Sequence, residues 1–165
     1  MENYIQLKKR DIVKYGIKDE NGVPKKDENG NEVCLEFDIE DINTLENYSK
    51  CIYLLKKAQS TLQGKIQIAK KMQEVPGKGA MSNKDEAITS ALKEYYKNCE
   101  EGFDMLLGQG GVTKIFGKAR YIEMFDDLAE MLKPIMEDIK KSATVLDDRI
   151  KEKYSVNNDG VLKDE

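Results

Sequence analysis

The chain has 165 residues, 35% of them charged and 39% hydrophobic, with a net charge of −4. That is one domain's length, enough to bury a core, and the charge-rich balance suits long solvated helices better than a large enzyme core. The acidic total argues against nucleic acid, which is met by a basic face; no apolar run approaches the roughly 18 residues of a membrane helix, and no charged-then-apolar leader signals secretion.

Residues 1–40 read as β-structure. From Glu32 to Glu40 bulky apolar residues (Val33, Leu35, Phe37, Ile39) fall at every second position, the period of a half-buried strand. Ile5 and Leu7, then Val13, Tyr15 and Ile17, share one parity and predict the partner strand, with a bulge or bend where the parity breaks at Lys9 and Asp11. Between them Asn21-Gly22 and Asn29-Gly30 favour turns. The reading is a β-hairpin with a long polar tip. Two strands alone are marginal in water, so the hairpin must pack on helices or pair with another chain.

From Asn43 the period changes. Asn43-x-x-Glu46 resembles a capping box with Asn in place of Ser or Thr. Leu45, Tyr48, Ile52, Leu55, Leu62, Ile66 and Ala69 then fall at helical steps, interrupted only by Gln59. They predict a helix of about 30 residues, roughly 45 Å long. Val75-Pro76-Gly77-Lys78-Gly79 ends it. Ser82-x-x-Asp85 starts a second helix whose buried stripe is Ile88, Leu92, Tyr95, Cys99, Phe103 and Leu106. A third helical region spans about 118–154, with its face on Ile122, Phe125, Leu128, Leu132, Ile135, Ile139, Leu146 and Ile150. Pro134 predicts a kink or break there. Met124, Met131 and Met136 accompany that face, as core or as a flexible partner surface. No internal repeat is read. The predicted fold is mainly α: an antiparallel helical bundle at 41–155 with an N-terminal β-hairpin at 1–40 and a flexible polar tail at 156–165.

Little in the chain points to catalysis. Histidine is absent, which removes the commonest general base and metal ligand. Cys34, Cys51 and Cys99 lack metal-site spacing. Far apart and odd in number, they fit reduced, packing thiols of a cytosolic protein. The adjacent carboxylates Glu100-Glu101, Asp126-Asp127 and Asp147-Asp148 point about 100° apart on a helix and read as solvated faces. The run from Gly111 to Lys118 imitates a phosphate-binding loop with one residue too many, and Ala119 stands where Ser or Thr would hold magnesium. No catalytic, cofactor-binding or metal residue is assigned.

The densest apolar and glycine clusters coincide at 103–117, Phe-Asp-Met-Leu-Leu-Gly-Gln-Gly-Gly-Val-Thr-Lys-Ile-Phe-Gly. The segment reads as a helix end, a tight glycine turn and one further helical turn closed by Gly117. Phe103, Leu106, Leu107, Ile115 and Phe116 are its candidate partner-binding anchors; Phe103 and Leu106 also continue the buried stripe of the second helix.

The pattern of Phe103, Asp104, Leu107, Gly108, Gly110, Lys114, Ile115, Phe116 and Gly117 resembles tail assembly chaperones of phages and prophages of Gram-positive bacteria. The likeness is best over about 99–132 and looser over the hairpin and first helix. It implies a non-enzymatic, helical protein of the bacterial host's cytoplasm. Such a protein binds the phage tape-measure protein, and sometimes the tail-tube protein, during tail morphogenesis and leaves before the tail is complete. Nucleic acid and membrane are not expected partners; a homo-oligomer is. Two other classes share these features: a phage-encoded helical module that inhibits a host protein, and a structural subunit that stays in the particle.

Overall fold

The computed structural model describes residues 3–10 and 12–154. The protein is mainly α, with a two-stranded antiparallel sheet near its start and four helices. In chain order these are β1 (Val13–Gly16), β2 (Cys34–Phe37), α1 (Ile42–Lys71), α2 (Asn83–Leu107), α3 (Gly111–Phe116) and α4 (Met124–Lys153). The chain divides into two compact units. One takes the described residues of Met1–Leu45 and Glu137–Glu165, the other Glu46–Met136, a division that groups the hairpin with the end of α4. The polar tail expected at 156–165 lies outside the described residues.

In the first unit, Val13 faces Phe37, Tyr15 faces Leu35 and Gly16 faces Cys34. Val33, Leu35 and Phe37 are buried on one face, and Lys14 and Glu36 pair at 2.9 Å on the other. The predicted alternation therefore holds over 13–17 and 33–37. It does not extend to Ile5 and Leu7, which lie outside any strand and are 94% and 86% exposed. The register gives the reason. Continuing from Val13↔Phe37, the residues opposite 5–8 are 42–45, where α1 has already begun.

The polar tip is more ordered than a long loop. Lys-Asp-Glu-Asn-Gly occurs at 18–22 and again at 26–30, an eight-residue repeat that contradicts the reading of none. Each copy closes on its own aspartate. Asp19 Oδ1 accepts the N–H groups of Asn21 and Val23, and Asp27 Oδ1 those of Asn29 and Asn31, all at 2.9 Å. Such Asp-centred turns satisfy backbone donors locally. The flanking residues join in a ring: Ile17 N–H donates to Val33, Val33 to Lys25, and Lys25 to Ile17, at 2.8–3.0 Å.

Asp41, rather than Asn43, starts α1. Its Oδ1 accepts the Asn43 N–H at 2.8 Å and its carbonyl accepts the Leu45 N–H. The cap came two residues earlier because Asp at that position satisfies the first-turn donors.

In the second unit α1 and α2 run antiparallel, marked by the Lys65–Glu94 ion pair and by Lys84 Nζ donating to the Lys70 carbonyl. Their contact is built on small residues. Of the seven stripe residues predicted on α1, Ala69 alone is buried, joined by Cys51 and Ala58; the larger six are half-buried. A Cβ on Gly102 would lie 3.3 Å from Leu54 Cβ and 3.6 Å from the Cys51 carbonyl. That close approach places small side chains at the contact and pushes the large ones to its flanks. On α2 the stripe is buried at Cys99, Phe103 and Leu106 and half-buried at Ile88, Leu92 and Tyr95. Ser82 caps α2 as expected, accepting the Asp85 N–H at 3.2 Å.

On α4, Met124, Phe125, Leu128, Leu132, Ile135 and Ile139 are buried, whereas Met131 is 56% exposed and Ile150 48%. Ile122 precedes the helix and is 73% exposed. The helix runs unbroken through Pro134. A proline there removes one backbone donor, and the helix accommodates that loss without a break.

Candidate functional site

The glycine-rich segment folds as its sequence predicts. Gly108 ends α2, Gly110 sits at φ +73° in the left-handed region, and α3 closes at Gly117. An L side chain at position 110 would be strained, so glycine makes the reversal cheap. Asp104 reaches back from α2 and accepts the Val112 N–H at 2.9 Å, satisfying a first-turn donor of α3.

Arg120 then locks the chain leaving α3, a role the sequence reading missed. Its Nε and Nη2 donate to both Glu100 oxygens at 3.2 and 2.7 Å, and its Nη1 donates to the Gly117 and Ala119 carbonyls at 2.8 Å. Nη2 also reaches Thr113 Oγ1 at 3.1 Å. A planar guanidinium serves a carboxylate and two carbonyls at once; an ammonium does not. The only sequence signal was a lone arginine just past the last glycine.

The five candidate anchors separate. Phe103 is 1% exposed and stacks on Phe125, centroids 5.8 Å apart, and Leu106 is also buried. These two belong to the core of the second unit. Leu107, Ile115 and Phe116 are half-buried. Phe116 meets Tyr121 edge-on at 6.0 Å, and Tyr121 is itself 45% exposed.

An open cleft of about 270 Å³ also lies within the second unit. Leu62 of α1, Leu92 and Tyr95 of α2 and Phe125 of α4 make its apolar lining, with Glu123 and Asp126 among its polar groups. Glu123 holds φ +69°, the one non-glycine residue with positive φ among those described. That conformation costs of order 1 kcal/mol and sets the cleft edge where α4 begins. Sequence periodicity placed Leu92, Tyr95 and Phe125 on buried stripes; it had no means of showing that the stripes part here. The Tyr95-Tyr96 doublet was the available hint.

The thiols offer no reactive group in this unit. Cys51 and Cys99 are buried, and burial pushes their pKa values up to about 12 and about 11. A thiol that stays protonated is a poor nucleophile. Burial likewise raises the Tyr95 phenol, which hydrogen-bonds Cys99. No group of three His, Cys, Asp or Glu side chains among the described residues is arranged to hold a metal ion. No helix among them is long and apolar enough to cross a membrane.

A mainly α protein with partly uncovered apolar side chains around a glycine turn and an open cleft is therefore the class that fold and surface define. The chain belongs to a family of unknown function (DUF6673), whose model matches residues 29–160, from the second Asp-centred turn past the end of α4. No curated protein and no solved structure matches it.

Proposed function

We propose that this chain is a non-enzymatic tail assembly chaperone of a phage or prophage of Gram-positive bacteria. It acts in the cytoplasm of the bacterial host and binds the tape-measure protein, and in some systems the tail-tube protein, during tail morphogenesis. The observation that carries the reading is the segment 103–117. Its residues resemble that group, and its fold leaves Leu107, Ile115 and Phe116 half-uncovered beside the exposed Tyr121 and Ile122. Apolar side chains gathered on a rigid turn suit the apolar face of a partner helix, while the charged exterior keeps the pair in solution.

Co-expression with the neighbouring tail genes tests it. The tape-measure protein is expected to co-purify with this chain and to become more soluble in its presence. If it does neither, the reading fails.

The acidic net charge favours one second reading, a phage-encoded helical module that covers a basic surface of a host protein and inhibits it. A gene placed among early-expressed genes, away from the tail cluster, favours that module over the chaperone.

A further inference from the structure

Residues 3–10 hold the most exposed aliphatic pair among the described residues, Ile5 and Leu7. The sheet cannot take them, because the residues that would face them already belong to α1. The same segment holds Lys8, Lys9 and Arg10 and no acid, so the rest of a chain of net charge −4 carries −7. Arg10 is tied to Asp38 at 2.9 Å, whereas among the described residues Lys8 and Lys9 form no ion pair.

We propose that this segment docks into the Tyr95 cleft of a second copy of the chain. The two surfaces match in chemistry. The cleft offers an apolar lining beside the carboxylates of Glu123 and Asp126; the segment offers two aliphatic side chains followed by two lysine ammonium groups. They match in size as well. A cavity of about 150 Å³ admits benzene, and this cleft has about 270 Å³, room for the Ile5 and Leu7 side chains together. In extended chain, alternate side chains point the same way at roughly 7 Å spacing. Ile5 and Leu7 therefore enter on one side, with Lys9 following toward the acidic groups. The contact shares Ile122 with the surface proposed for the chaperone's partner, and its test reads self-association instead of tape-measure binding.

Sedimentation velocity of the full chain over a wide concentration range tests the proposal, with circular dichroism to confirm that each variant is folded. The wild-type chain is expected to self-associate. Ile5→Asp with Leu7→Asp is expected to weaken association at least tenfold. Ile122→Lys, at an exposed position on the cleft, is expected to do the same by repelling Lys8 and Lys9. The decisive sample mixes the two variants. One retains the cleft and the other the segment, so the mixture associates more strongly than either variant alone. A wild-type chain that stays monomeric throughout overturns the proposal, and so does a segment variant that associates like wild type. A mixture no stronger than its components also overturns it, because segment and cleft are then not partners.

Discussion

The connection from α1 to α2 is shorter than the connection from α2 to α4, and the two differ in the apolar side chains they carry. The first, 72–82, is clasped by polar side chains at the start of α2. Asn83 accepts the Val75 N–H at 2.8 Å and donates to the Gln73 carbonyl at 2.9 Å, and Glu86 accepts the Lys78 N–H at 2.8 Å. Gly77 has no room for a Cβ, which would meet the Met81 carbonyl and the Glu86 carboxylate at 2.4 Å. The second, 108–123, is also pinned by polar groups, Asp104 and Arg120, and it holds the half-buried Ile115 and Phe116 beside the exposed Tyr121 and Ile122. The first satisfies its own backbone and exposes two apolar side chains, Val75 and Met81. The second gathers four, Ile115, Phe116, Tyr121 and Ile122, on a comparably pinned frame. The proposed docking function is assigned to the second, because a denser set of apolar anchors on a preorganised support binds at lower ordering cost.

The comparison breaks most severely in the core beneath the second connection. Phe103→Ala removes a buried ring stacked on Phe125. It should cost about 3–5 kcal/mol in urea unfolding. A much smaller loss would mean that Phe103 is not the floor on which the segment rests.

Alkaline pH probes the same core. The buried Cys51 and Cys99 have folded pKa values above the ordinary thiol value of 9.0. Their protonated burial therefore contributes stability that is fully present below pH 9. It is lost as pH rises toward 11 for Cys99 and 12 for Cys51, because the unfolded chain ionises first. At pH 10 the loss is about 1 kcal/mol per thiol. Unfolding curves at pH 8 and pH 10 for wild type and Cys51→Ala separate this effect from the tyrosines.

The polar pins come next. Arg120→Lys should cost about 1–2 kcal/mol, because an ammonium cannot hold Glu100 and the Gly117 and Ala119 carbonyls together. It should also weaken partner binding by loosening α3. Glu86→Ala, in the first connection, should cost about 1 kcal/mol and leave partner binding unchanged. Equal effects of the two variants on binding would erase the distinction between the loops.

The helices and the glycine turn were legible in the sequence because their signals are local. The Ser82 cap, the length of α1 and the closure at Gly117 each depend on a few neighbouring residues. What escaped depends on who faces whom. Ile5 and Leu7 have strand parity, yet no strand stands opposite them. The stripe on α1 marked the correct side but not its depth, which Gly102 sets from the other helix. The Lys-Asp-Glu-Asn-Gly repeat was visible at 18–22 and 26–30 and passed unread, because eight residues is shorter than the periods that define repeat folds. Arg120 and the cleft around Tyr95 are products of packing alone, and no spacing announces them.

Phe116→Ala tests the central claim most directly, with stability and co-purification of the tape-measure protein measured on the same sample. Phe116 is half-buried and touches Tyr121 edge-on, so the account predicts a loss near 1 kcal/mol in stability and at least a tenfold loss in partner binding. A loss of about 3–5 kcal/mol would make Phe116 core. Unchanged binding by a folded variant would contradict the claim that this connection is where the partner docks.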